Sequence, residues 1–222
     1  MTGAIIALCA MASAIGGTIK GHVRAEGKAG AEADASTGQY ESRRFKHVER
    51  INYEELHEFV VYVDFTPPEK PKPPAEAIGI VTQKDATFAP HVLPVVVGTR
   101  VKWPNEDTIY HNVFSKSGRN AFDLDLYKAP VVKEVPFNYP GQVDVFCSIH
   151  SRMHCIVLVL ENPWFARTDA HGDYVIEHVP AGTYHLKAWH ERLPDKDQEV
   201  VVPEQGEIKV DFTLGITGLP KH

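Results

Sequence analysis

Cys147, His150 and Met153 follow one another at three-residue intervals in Phe146-Cys147-Ser148-Ile149-His150-Ser151-Arg152-Met153, so one tight loop offers a thiolate, an imidazole and a thioether. A second imidazole stands upstream at His111, in Tyr110-His111-Asn112-Val113-Phe114. Two imidazoles, a thiolate and a weakly held thioether make up the donor set of a mononuclear copper site suited to one-electron exchange. The chemistry is a compromise between oxidation states. Sulfur suits Cu(I), imidazole suits both Cu(I) and Cu(II), and a near-trigonal set changes little when an electron arrives. Binding requires Cys147 as the thiolate and both imidazoles neutral, so affinity is expected to weaken in acid.

Other metals match these donors less well. A binuclear copper centre needs two cysteines close together in the ligand loop, and residues 148–154 supply no second thiol. Zinc prefers closed sites of Cys and His, and a thioether is a poor ligand for it. A catalytic copper site needs further clustered histidines. His154 is adjacent to Met153, but neighbouring strand residues face opposite ways. The plain alternative is a buried cysteine with two incidental histidines in an ordinary sandwich. His22, His47, His57 and His91 show no metal spacing, and His171 and His178 flank a turn. His185 and Trp189 are expected on the solvent face of their strand. Cys155 reads as a buried, inert thiol; a Cys147–Cys155 disulfide is the alternative, and it would abolish the copper site.

The elements that position these groups are strands. Short runs of alternating apolar and polar residues are separated by Gly, Pro, Asn and Asp, with no sustained helical period, which predicts an all-β protein. In residues 207–214, Ile208, Val210, Phe212 and Leu214 share one face. Tyr184, Leu186 and Ala188 do the same in residues 183–189, as do Val143, Val145 and Cys147 in residues 142–147. Val101 and Trp103 are predicted to point inward from residues 99–103. Residues 155–160 are apolar on both faces, which predicts a strand covered on both sides. Residues 25–50 read as a long polar surface loop, followed by a helical turn near 52–57. Five prolines in residues 67–74 exclude that segment from a sheet interior and mark it as a spacer.

Composition narrows the function classes. The 222 residues carry 23 Lys+Arg against 29 Asp+Glu, a net charge of −6, which offers no broad field for nucleic acid. Three cysteines are too few for a disulfide-built scaffold. Residues 1–14, MTGAIIALCAMASA, read as a signal-peptide core with an A-x-A cleavage site, or as an N-terminal anchor, and so point to export. Membrane contact is expected only through that segment.

With its strand–loop–strand setting, the C-x-x-H-x-x-M loop resembles the cupredoxin family, plastocyanin and amicyanin in particular, over residues 75–162. The short spacing is closest to the amicyanin-like loop. The resemblance implies a Greek-key β-sandwich holding one type 1 (blue) copper ion on His111, Cys147, His150 and Met153. It also implies that the Asn112 N–H bonds the ligand sulfur while its side chain ties the two ligand loops together. Phe122-Asp123-Leu124-Asp125-Leu126-Tyr127 is familiar from bacterial cupredoxin-like proteins, with no chemistry attached. The implied activity is single-electron transfer between extracytoplasmic or periplasmic redox partners, such as c-type cytochromes or a periplasmic dehydrogenase, and not enzyme catalysis. The edge of His150 would face solvent within an apolar rim for which Ile149 and Val113 are candidates. The rival readings are a copper carrier or sensor without redox turnover, and a metal-free adhesion or carbohydrate-binding sandwich.

A second resemblance lies outside this region. Residues 168–186 contain a D-x-x-G turn, a strand, a V-P-x-G turn and a strand opening at Tyr184, similar to the carboxypeptidase regulatory-like, transthyretin-like β-sandwich. The opening strand of that group matches Gly17-Thr18-Ile19-Lys20-Gly21-His22-Val23, with residues 59–64 as its second strand. The expected arrangement is therefore nested. Residues 15–66 and 163–216 form one sandwich, and the cupredoxin-like unit is inserted between them behind the 67–74 linker.

Overall fold

The computed structural model describes residues 16–27, 53–68 and 78–215. The signal-peptide segment 1–14, most of the loop 25–50 and most of the proline spacer lie outside these residues. Strands β1 (Gly17–Ala25) and β2 (Val60–Asp64) come first, with a 3-10 turn at Tyr53–Glu55 between them. The middle of the chain holds β3 (Ile78–Ile80), β4 (Thr82–Lys84), β5 (Thr87–Ala89), β6 (Val92–Val96) and β7 (Arg100–Pro104). It continues with β8 (His111–Ser115), β9 (Phe122–Tyr127), β10 (Val132–Pro136), β11 (Gly141–Phe146) and β12 (His154–Leu160). The C-terminal part adds β13 (Phe165–Arg167), β14 (Asp173–Val179), β15 (Gly182–His190), β16 (Leu193–Val202), β17 (Glu207–Lys209) and β18 (Phe212–Leu214). The protein is all-β.

Pairing divides the strands by position in the chain. β1 lies between β14 and β17 and also pairs with β18, while a second sheet runs β13-β2-β15-β16. Ile19, Val23, Val61, Val63, Ile176, Leu186, Val202 and Leu214 fill the space between these two sheets. The middle strands build their own pair of sheets, β10-β7-β3 and β6-β12-β11-β8-β9, beside the β4-β5 hairpin. Val101, Trp103, Val113, Val143, Val145, Cys155 and Val157 form the core between those two. Thus strands β1, β2 and β13–β18 share one sandwich, the outer, and the segment between them folds as another, the inner.

The two sandwiches stack. Strand β12 sends Cys155, Val157 and Val159 into the inner core. Its other face, Ile156, Leu158 and Leu160, packs with Val92 of β6 against Val60 of β2 and Trp189 of β15. Both faces of β12 are therefore dry, which accounts for its unbroken apolar run. Trp189 corrects the solvent-facing expectation: it is buried between the sandwiches, while His185 on the same strand stays exposed beside Asp197. One face of β15 thus meets water along part of its length and protein along the rest.

The expected strand over 207–214 is split into β17 and β18, although Val210, Phe212 and Leu214 keep their shared buried face. Asp211 lies at the break, where its carboxylate accepts the backbone N–H of His22 at 2.9 Å. Gly21 permits the close approach: a Cβ there would lie 1.7 Å from the Val210 carbonyl oxygen.

The dry interlayer makes a prediction about stability. Ile156→Ala should destabilise the chain by about 2–5 kcal/mol, whereas Val175→Ala, at an exposed position, should stay within about 0.5 kcal/mol. Urea unfolding measures both. Equal, small effects would mean that the two sandwiches are not packed through β12.

Candidate metal centre

His111 opens β8 and Cys147 follows β11, and these strands are antiparallel neighbours paired at Phe114 and Phe146. That pairing brings the first imidazole alongside the thiol. The loop from Cys147 to Met153 then closes on itself. The Cys147 N–H donates to the Met153 carbonyl at 3.3 Å and the Met153 N–H to the His150 carbonyl at 3.0 Å. Its curl turns His150 back over the pair. His111 Nδ1 and His150 Nδ1 lie 3.0 Å apart, and Cys147 Sγ is 3.7 Å from His150 Nδ1. Such separations span the edges of a coordination sphere with metal–nitrogen bonds of ~2.0–2.1 Å and a metal–sulfur bond of ~2.3 Å. Met153 is buried and packs in the same core as Cys147. Cys147 is a free thiol, as is Cys155, whose complete burial pushes its own thiol far above the usual range.

Asn112 links the ligand strands. Its N–H donates to Cys147 Sγ at 3.4 Å, its Oδ1 accepts the Ser148 N–H at 3.3 Å, and its Nδ2 donates to Asp123 Oδ1 at 2.7 Å. Asp123, in the Phe-Asp-Leu-Asp-Leu-Tyr strand that carried no assigned chemistry, therefore fixes the Asn112 amide.

Asp107 is the residue that sequence reasoning passed over. Its Oδ2 lies 2.7 Å from His111 Nε2. A carboxylate only accepts, so the proton of His111 sits on Nε2 and the lone pair is left on Nδ1, the atom facing His150 and Cys147. Asp107 is itself held from two sides. Its Oδ1 accepts the Asp85 N–H at 2.8 Å, and its Oδ2 accepts the Ala86 N–H at 3.0 Å. Both donors sit at the tip of the β4–β5 hairpin with positive φ, 53° for Asp85 and 52° for Ala86, as a two-residue primed turn demands. The Ala86 N–H foremost, then His111 and the Asp85 N–H, keep the Asp107 carboxyl below the ordinary carboxylate range. Asn105 shapes the intervening turn by accepting the Asp107 N–H and donating to the Ile109 and Tyr127 carbonyls.

The surroundings correct one expectation. Val113 is fully buried in the inner core and forms no rim; Ile149 is exposed, as are Ile109 and Tyr110 just before His111, and Leu126, which pairs with Asn112. His91, whose place in the sequence shows no metal spacing, and His154, expected to face away from Met153, meet Glu191 with ligand atoms within 4.8 Å of one another. Their separations of 63 and 100 residues along the chain hid that cluster.

No protein-family model matches the sequence, and no curated protein matches it. Solved structures do. A copper-containing nitrite reductase from Thermus scotoductus SA-01 is 25% identical over 44% of this chain and 28% of its own, with a TM-score of 0.37. Amicyanin from Paracoccus versutus is 26% identical over 45% of this chain and 97% of its own, with a TM-score of 0.36. A purple cupredoxin from Nitrosopumilus maritimus is 22% identical over 37% of this chain and 99% of its own, with a TM-score of 0.33. Each likeness covers less than half of the chain, and the first spans under a third of the nitrite reductase.

Asp107→Asn should weaken metal binding by about 10–100-fold, because one amide oxygen cannot serve the three N–H groups that the carboxylate now accepts. Competition with a chelator of known copper affinity reads the change, and circular dichroism checks that the fold is kept. Affinity within twofold of the parent would remove Asp107 from the site.

Proposed function

We propose that this chain is a mononuclear type 1 copper protein that carries single electrons between extracytoplasmic redox partners. One observation carries the reading: two imidazole Nδ1 atoms and one cysteine sulfur converge at 3.0 and 3.7 Å. An N–H donor on the sulfur and a buried methionine at the end of the same loop complete the set. A copper ion held by these groups supplies one-electron exchange between Cu(I) and Cu(II). The protein's part is to keep the donors still. Asp107 sets the tautomer and orientation of His111, Asn112 fixes the sulfur, and the loop's own hydrogen bonds hold His150 and Met153.

Burial defines how a partner approaches. His111, Cys147 and Met153 are buried, whereas His150 is partly exposed beside the exposed Ile149. The His150 edge is thus the face that a redox partner can reach, in an apolar setting suited to brief docking. Small redox proteins such as c-type cytochromes, or a periplasmic dehydrogenase, are the partners we propose. The net charge of −6 mildly favours a basic partner by steering. The same enclosure argues against rapid hand-over of the ion, since a carrier must expose several ligands to exchange them. We read the chain as an electron carrier and not as an enzyme. Among the described residues no helix is long and apolar enough to cross a membrane. We read the outer sandwich as a transthyretin-like unit that positions the metal-bearing one.

One equivalent of Cu(II) added to the purified chain should produce an intense visible thiolate-to-copper charge-transfer band. Cys147→Ser should abolish it, and mild reductant followed by reoxidation should bleach and restore it. A folded protein that stays colourless would overturn the copper reading. Copper lost on reduction would point to a carrier.

A further inference from the structure

His91, His154 and Glu191 come from three separate parts of the chain and from both sandwiches. His91 precedes β6, His154 opens β12, and Glu191 sits in the turn between β15 and β16 of the outer sandwich. The Ile156 N–H donates to the His91 carbonyl at 2.7 Å, which fixes the His91 backbone against β12. The two rings meet edge to face with centroids 5.3 Å apart. All three side chains are partly sheltered, and their ligand atoms lie within 4.8 Å of one another.

The hydrogen-bonding roles around His91 are incomplete without a cation. Its Nδ1 lies 3.1 Å from the His154 carbonyl oxygen, which can only accept, so Nδ1 carries a proton. Its Nε2 lies 3.0 Å from both oxygens of the Glu191 carboxylate, which is likewise an acceptor. A neutral ring would set its Nε2 lone pair against that carboxylate. Either a second proton or a metal ion must sit between them. His154 has the same outer support: its Nε2 lies 3.1 Å from Asp144 Oδ1, the kind of carboxylate contact that orients metal-binding imidazoles.

We propose that His91, His154 and Glu191 form a second metal site, for a divalent ion of the zinc class, that clamps the two sandwiches together. Two imidazoles and one carboxylate suit a borderline transition ion; calcium and magnesium call for an all-oxygen set, and Cu(I) for sulfur. Three protein ligands leave a fourth position for water. Because the ligands come from both sandwiches, binding stabilises their mutual orientation, and the effect appears as a ligand-linked rise in stability.

The test uses the full chain carrying Cys147→Ser, so that the sulfur site is disabled and the outcome does not depend on the electron-carrier reading. After treatment with chelator, titration with Zn2+ should show a zinc equivalent that raises the thermal midpoint. His91→Ala and the near-isosteric Glu191→Gln, each added to that background, should weaken this zinc by about 10–100-fold or more and remove the thermal shift. Glu191→Gln keeps the test decisive if His91→Ala folds poorly. Zinc binding that is indifferent to both substitutions lies elsewhere and overturns the proposal. So does the absence of any zinc-dependent shift, which would leave the cluster as a proton-bridged ion pair.

Discussion

A fully buried imidazole must find a partner for each of its nitrogens, because water cannot serve either, and in His111 this constraint orders the site. Nε2 is taken by the Asp107 carboxylate at 2.7 Å, which leaves Nδ1 as a lone pair within 3.0 Å of His150 Nδ1. Remove the carboxylate and the tautomer is no longer specified. Asp107 would in turn be a poorly paired anion were it not for the two N–H groups of the Asp85–Ala86 hairpin. The left-handed backbone at Ala86, costly for a residue with a Cβ, is stabilised by its use in this chain of contacts. Hairpin, carboxylate and imidazole act as one unit, so the inner sandwich's small β4–β5 sheet belongs to the site as much as the ligand strands do.

Strand β12 ties that site to the rest of the molecule. It is hydrogen-bonded to β11, which ends one residue before Cys147, and it packs on both faces. Burying an aliphatic side chain is worth ~1.5–3 kcal/mol, so the second dry face formed by Ile156, Leu158 and Leu160 adds substantially to the rigidity of the strand. A frame of this kind opposes rearrangement of the donors.

Strand faces were the most legible feature of the sequence. Val101 and Trp103, Val143 and Val145, and Leu186 and Ala188 are buried as their alternation implies, since a period of two is set by backbone geometry alone. His150 and Cys147 were legible as a pair because three residues of tight loop keep them together, and the structure brings His111 to them. What escaped notice depends on long-range contacts. Trp189 sits on a face that looks solvated until a second sandwich covers it. Asp107 looks like any turn aspartate until the hairpin and His111 converge on it. Glu191 and His91 are 100 residues apart, and no local spacing relates them. Val113 was misplaced for the opposite reason: adjacency to a ligand suggested a surface position, but the face of β8 on which it lies points into the core.

The ligand loop is consequently anchored at both ends by different means. At the Cys147 end, Asn112 holds the sulfur and the Ser148 N–H, and Asp123 holds Asn112. At the other end, Met153 is followed directly by His154, whose ring is fixed by Asp144 and whose carbonyl is bonded by His91. His91 is gripped by Glu191 of the outer sandwich. A load path therefore runs from the outer sandwich through Glu191, His91 and His154 to the residue beside Met153. Strand pairing alone would fix only the backbone of that residue. The side-chain contacts add a constraint from a second folding unit, and this gives the outer sandwich a physical part in holding the donors even though it contributes none of them.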